Sequence, residues 1–437
     1  NTDIIDSIII GNSDSEGLFG HTTINDYIEG SSSLNITSSS ITNIDNDTSC
    51  LDKQTTQTSL SGKFVYISGK CKLNFENKWF NFGYDSTNSV YLAGNYVEPF
   101  PISNYSQWNS IGDDLLLVSK TFKLLADIDF FGQTYIPIGT NDSAQSDNVF
   151  RGSIIPNGKK LKNITYTTDT SGSPTSGGIF PLVQGSAIGS DNDPLYIENL
   201  NLTASVDNSG VVGEASNSEI SIIVQNGTIT GSVTGSVGGI VGFASSNVRL
   251  QSSAFNGSID VPTGVNVGGL IGSLESAMSG ISIEKSYVNL SSLRGATNVG
   301  GLIGNSSSSS GFKIKDSYAR LGYIQAVAST SDPVAGLIGQ AAASVEITNS
   351  FVDLGITGDL QTGFKTVGIG STGHTISNVG VIGTSYSGDA NFTPTAVQAT
   401  NSSLWNHVSI SYDDSDFIIH SDNLIHLDWE IYGFEDY

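Results

Sequence analysis

The chain has 437 residues, 50 of them glycine and only one methionine, and its 18 basic and 42 acidic side chains leave a net charge of −24. That length is too great for one ordinary core unless the fold grows by repetition, and aromatic residues at 9% argue against simple disorder. So acidic a surface repels nucleic acid and anionic membranes, and no run of about 20 apolar residues is present to insert into a bilayer.

The opening NTDIIDSIII lacks the basic start and cleavage pattern of a secretory signal and does not begin with Met, so the expectation is a piece of a longer chain. Cys50 and Cys71 follow in a turn-rich stretch. A disulfide between them would contribute roughly 3 kcal/mol in the chain-entropy model and would suit an oxidising compartment; two unrelated thiols are the alternative. WFNFGYD, from Trp79, has a counterpart near the end of the chain in WEIYGFE, from Trp429. Gly20 to Trp79 and Gly370 to Trp429 are both 59 residues (79 − 20 and 429 − 370). Residues 1–98 therefore read as the C-terminal part of a preceding unit, with Pro99 and Pro101 at the junction. Residues 99–437 read as a complete unit: lead-in 99–176, repeats 177–383 and end segment 384–437.

The repeats announce themselves as Gly-aliphatic-aliphatic-Gly anchors starting at Gly210, Gly239, Gly269, Gly301 and Gly336, at intervals of 29, 30, 32 and 35 residues. A period drifting around 30 predicts solenoid coils with insertions in the loops. Between anchors, ISIEKSYVNL (281–290), FKIKDSYARL (312–321) and VEITNSFVDL (345–354) alternate apolar and polar residues, then place Ser before an aromatic. Period-2 alternation predicts strands with one buried face, two or three per repeat. On a continuous strand, Val267, Gly269 and Ile271 would share one face, and Gly268, Leu270 and Gly272 the other. The anchor glycines Gly239, Gly242, Gly269, Gly272, Gly301, Gly304, Gly336 and Gly339 either bend the chain or admit a neighbouring backbone. Their role is structural, since a phosphate loop would need a following helix and usually a Lys. The predicted fold is all-β, a β-solenoid (β-helix) of about 30 residues per repeat with irregular aromatic-rich end segments.

The ordered set of LLADIDFFGQTYIPIGT (124–140), FRGSIIPNGKKLKNITY (150–166), GGIFPLV (177–183), YIENLNL (196–202) and the anchors resembles the GLUG-motif region of large bacterial surface proteins. These include filamentous-haemagglutinin-like adhesins and the non-catalytic regions of some immunoglobulin A peptidases. The resemblance spans roughly residues 100–437. It departs at Pro181, where a closing Gly is replaced, and at the degenerate copy around Gly370. It implies a β-solenoid surface protein, and it implies no active site, because the motif residues are structural.

Candidate chemistry is sparse. None of the five histidines (His21, His374, His407, His420, His426) lies in the regular repeats, and no nucleophile elbow, HExxH helix or Walker loop is present. Asp127 and Asp129 are paired acids of the kind glycoside hydrolysis uses, although the family resemblance gives them a fixed structural place. SDNDP (190–194), with Asp191 and Asp193, and DDSD (413–416) gather oxygen ligands that would suit calcium, though Asp and Asn also serve simply as loop residues. No other cofactor is called for. The expected function is non-enzymatic: an extracellular, cell-surface adhesin or matrix-fibre segment. Its partners would be a host or neighbouring-cell glycan or protein, and further copies or units of the same fibre. A carbohydrate-active β-helix, either a lyase or a tailspike-like depolymerase, is the alternative. An ice-binding face would need Thr rows in register, and Ser and Thr are scattered here.

Overall fold

The computed structural model describes residues 99–113, 118, 120–139, 149–166, 177–185, 195–207, 209–232, 235–274, 280–306, 311–328, 334–341, 345–353, 365–370 and 375–382, with short strands at 43–44, 67–68, 71–74, 395–396, 417–419 and 425–427. Internal contacts divide the chain into two units, Asn1–Ala126 and Asp127–Tyr437.

In the first unit, strand Cys71–Asn74 pairs antiparallel with Asn43–Ile44 and with Ile67–Ser68. Cys71 opposes Ser68; Cys50, the other half of the expected disulfide, lies outside the described residues. Strands Phe100–Ile102 and Thr121–Leu124 pair in parallel, with Phe100 opposite Phe122 and the two rings 5.5 Å apart. Between them runs a helix, Tyr105–Asp113, which the alternation patterns do not predict. It starts where it does because Asn104 Oδ1 accepts from the Gln107 amide (3.0 Å) while Gln107 Oε1 reaches back to the Ser103 amide (2.7 Å). These reciprocal bonds satisfy amides that the first turn would leave without partners. Trp108 and Ile111, three apart on one helix face, are fully buried.

The second unit is a parallel β-solenoid of about six turns with roughly 32 residues per turn. The strands of each coil pair in parallel with their counterparts in the next coil, and three sets of registered positions show this. In the first set Val241, Ile271, Ile303 and Ile338 align, at spacings of 30, 32 and 35. In the second, Phe255, Val288, Ala319 and Val352 align. In the third, Val237, Val267, Val299 and Val334 align. Leu270, Ile271, Leu302, Ile303, Leu337 and Ile338 are all fully buried, so the apolar anchor residues form continuous columns.

Their alternation differs from the sequence expectation. Strand Asn266–Gly268 ends and strand Ile271–Leu274 begins on either side of a corner at Gly269–Leu270. Turning there sends Val267, Leu270 and Ile271 all into the interior, whereas a continuous strand would have put Leu270 on the opposite face. The glycines are needed for close approach as well. A Cβ on Gly269 would overlap the carbonyl oxygen of Gly301 and lie 2.9 Å from Val288 Cγ1, and one on Gly301 would overlap that of Gly336. The closing glycines obey the same rule, since a Cβ on Gly304 or Gly339 would lie 2.6 Å from the carbonyl oxygen of the closing glycine one coil before.

A second corner separates the first and second sets. Ser252, Lys285, Asp316 and Asn349 adopt φ of 47°, 48°, 49° and 47°, and each is followed by a fully buried serine, namely Ser253, Ser286, Ser317 and Ser350. Each serine hydroxyl donates to the carbonyl two residues earlier, as from Ser286 to Glu284 and from Ser317 to Lys315, both 2.7 Å. The Ser286, Ser317 and Ser350 hydroxyls then accept the amide of the serine one coil before: Ser253 N to Ser286 Oγ at 3.1 Å, Ser286 N to Ser317 Oγ at 3.1 Å, Ser317 N to Ser350 Oγ at 3.3 Å; Ser253 Oγ accepts the Ile222 amide at 3.1 Å. The turn would otherwise strand these buried amides. Tyr287, Tyr318 and Phe351 follow the serines and stack face to face, with centroids 4.8 and 4.7 Å apart and planes within 6° and 4°. All three rings are buried, as their recurrence at one repeat position predicts.

Strict repetition would stack like charges, which destabilises neighbouring strands. The outward positions avoid this: Asp260 faces Arg294 (3.0 Å), Lys313 faces Glu346 (3.1 Å) and Arg320 faces Asp353 (3.4 Å) across successive coils. The exposed Lys313–Glu346 pair contributes little stability, but a slipped register would lose all three.

Candidate functional site

Strand Lys160–Tyr166 lies at the start of the solenoid unit. Leu161 and Ile164 are both buried although they are three residues apart, because Asn163 takes φ 57° and breaks the two-residue alternation. Lys160 and Asn163 are exposed and Lys162 partly so. Ile128 and Asp129 pair with Leu161 and Lys162 on one side, while Asn201 and Leu202 pair with Lys160 and Leu161 on the other. The next two strands, Leu195–Asp207 and Val212–Thr230, are irregular at the same level, with register shifts between Leu202 and Ser205 and between Val224 and Gly227. Bulges re-aim side chains next to sites. Here they set Thr203 and Gln225 beside Lys160, Lys162 and Asn163, around a hollow of about 230 Å³ floored by Leu161.

The acid pair is held by this strand. The Asp127 carboxylate accepts from Lys162 Nζ at 2.5 Å and from the Lys160 amide at 3.0 Å. Partial burial pushes its carboxyl up, but the Lys162 bond, the Lys160 amide and the lysine charges outweigh this and leave it below the ordinary carboxylate range. Asp129 Oδ1 accepts from Asn163 Nδ2 and from the Phe131 amide, both at 2.9 Å, and these bonds lower its carboxyl too. Both acids are therefore ionised at neutral pH, opposite to the raised pKa that a catalytic acid requires. Phe131, tied to the same Asp129 oxygen, is 81% exposed.

From the hollow, an outward polar line continues across the coils. Gln225 Oε1 accepts from Asn256 Nδ2 (3.3 Å), and Asn256, Asn289, Arg320 and Asp353 then align in register. Desolvation raises the Asp353 carboxyl above its ordinary value, against the opposing pull of Arg320.

The remaining sequence candidates separate into two groups. Of the eight anchor glycines, Gly239, Gly269 and Gly301 sit between strands, whereas Gly242, Gly272, Gly304, Gly336 and Gly339 lie within strands, and all line the close coil-to-coil approach. Asp191, Asp193, the DDSD loop and four of the histidines lie outside the described residues; His426 is in strand Ile425–Leu427, opposite Ile418. Among the described residues no three His, Cys, Asp or Glu side chains gather as a metal site, and no described helix is long and apolar enough to cross a membrane. Sequence reasoning missed the hollow itself. Its signal was GKKLKN (158–163), the densest basic run in an acidic chain.

No protein-family model matches this chain. No curated protein matches it either. Among solved structures it is similar to the crystal structure of a "putative immunoglobulin A1 protease" from Bacteroides ovatus, at 17% identity and a TM-score of 0.53, covering 76% of this chain and 93% of that one. At that identity the likeness concerns the fold.

Proposed function

We propose that this chain is a segment of an extracellular, cell-surface protein of the GLUG-motif type, working without catalysis as an adhesin or matrix-fibre binding module. Its ligand is a glycan or protein on a host or neighbouring cell, and further units of the same fibre are its other partners. The observation that carries this reading is the state of Asp127 and Asp129. The one acid pair that the sequence suggests for catalysis is spent in hydrogen bonds and held ionised, while amides, hydroxyls and cations line a ligand-sized hollow beside it. That set can recognise a ligand, and it holds no protonated carboxyl of the kind a glycosidase uses as its general acid. The motif resemblance supports the same reading.

The test is binding of the purified chain to glycan and cell-surface protein arrays, alongside incubation with a polysaccharide panel. Retention on the arrays with no new ends on the polysaccharides is the expected result. Release of unsaturated or reducing ends would replace it with a lyase or depolymerase, and absence of binding to every array would remove the adhesin reading.

A further inference from the structure

The hollow at the start of the solenoid has a definite charge character. Its lining comprises Lys160, Leu161, Lys162, Asn163, Thr203 and Gln225, two cations and no carboxylate, in a chain with 42 acids and 18 bases. The Lys162 charge is matched by Asp127. Lys160 enters no ion pair among the described residues, and its amide, not its side chain, bonds Asp127. Thr203 Oγ1 already accepts the Asn163 amide at 2.7 Å, so its hydroxyl hydrogen is directed to another acceptor. The site thus offers ammonium and hydroxyl donors to a group rich in acceptors. At 0.15 M ionic strength the Debye length is about 8 Å, so the chain's remote acidic charge is largely screened, and the local balance is Lys159, Lys160 and Lys162 against Asp127 and Asp129.

Size and shape narrow the ligand further. A volume near 230 Å³ is below the roughly 300–1,000 Å³ of ordinary small-molecule pockets and suits one sugar ring. Gln225 and Asn163 add amide groups to that lining, able to meet the hydroxyls of such a ring.

We propose that this hollow binds a single anionic sugar ring, with Lys160 supplying the main charge and Thr203 and Asn163 the neighbouring hydrogen-bonding groups. The inference rests on the adhesin reading and specifies its ligand. A lysine is a compact point charge that does not distinguish carboxylate from sulfate geometry, so the chemistry assigned is an anionic sugar of either kind.

The experiment titrates glucuronate, sialyllactose, glucose 6-sulfate and neutral lactose into the wild-type chain, followed by saturation-transfer NMR, and repeats this with Lys160→Glu and Lys160→Arg. Far-UV circular dichroism checks that each variant keeps its strand spectrum. Expected are binding of at least one anionic sugar below about 10 mM, none of lactose, a loss of about tenfold or more in Lys160→Glu, and retention in Lys160→Arg. The proposal is overturned if lactose binds equally, if no anionic sugar binds, if Lys160→Glu has no effect, or if sodium acetate or sulfate competes as well as the sugars do. Wild-type retention on the arrays together with any of these results would refute this site and leave the adhesin reading standing. Absence of array binding would refute that reading itself.

Discussion

Replacing Ser317 with Ala isolates one rung of the buried serine ladder. The hydroxyl makes two bonds, donating to Lys315 O at 2.7 Å and accepting the Ser286 amide at 3.1 Å. Only one loss is uncompensated. Lys315 O also accepts the Lys285 amide at 3.1 Å, so it stays satisfied, whereas the Ser286 amide is left without its hydroxyl acceptor in a site with no solvent exposure. A buried unsatisfied donor costs about 1–3 kcal/mol, and that is the expected loss. The matching control is Ser291→Ala, whose hydroxyl bond to Gly257 O is exposed and whose removal should change stability by less than about 0.5 kcal/mol. Urea unfolding gives the global figure. Native-state hydrogen exchange localises it: the Ser286 amide should exchange about 5- to 150-fold faster than in wild type, given about 1.4 kcal/mol per tenfold. Equal effects of the two substitutions, or an unchanged Ser286 amide, would refute the assignment of the ladder.

Leu302→Ala empties part of a fully buried column and should cost about 2–5 kcal/mol in urea unfolding; a cost below about 1 kcal/mol would mean that the column is not packed. Asp353 gives a pH prediction. Its folded carboxyl titrates above the ordinary 3.8 because desolvation outweighs Arg320, so its contribution to stability is fully present below 3.8 and is lost as pH rises through the raised folded value. Asp353→Asn should therefore gain on wild type more at pH 7 than at pH 3.5 in urea midpoint, and a gap independent of pH would contradict the shift.

Much of the repeat architecture is legible in the residues themselves. The Leu-Ile pairs at 270–271, 302–303 and 337–338 and the aromatics at 287, 318 and 351 recur at fixed places, and recurrence is what stacking requires. The corner at Gly269–Leu270 was not legible, because strand alternation presumes a straight strand and glycine permits either course. The serine ladder was visible only as a recurring letter; its meaning depends on the left-handed residue before it, a conformation that Ser252, Lys285, Asp316 and Asn349 do not advertise as a set. The helix at 105–113 left a readable trace in Asn104 and Gln107, three residues apart. The hollow is hardest to foresee, since residues 160–163, 203 and 225 meet only through register shifts in neighbouring strands.

The claim on which everything else rests is the parallel, in-register stacking of successive coils, and disulfide trapping reads it directly. In a background with Cys50→Ser and Cys71→Ser, Lys313→Cys combined with Glu346→Cys places two exposed thiols on registered neighbours. Their Cα atoms should be about 4.8 Å apart, within the roughly 4.4–6.8 Å that a disulfide spans. Lys313→Cys with Thr348→Cys is two residues out of register, which puts the pair about 8 Å apart and beyond reach. Mild oxidation followed by non-reducing electrophoresis should close the first pair and leave the second open. Closure of the second pair as readily as the first, or of neither, would contradict the stacking.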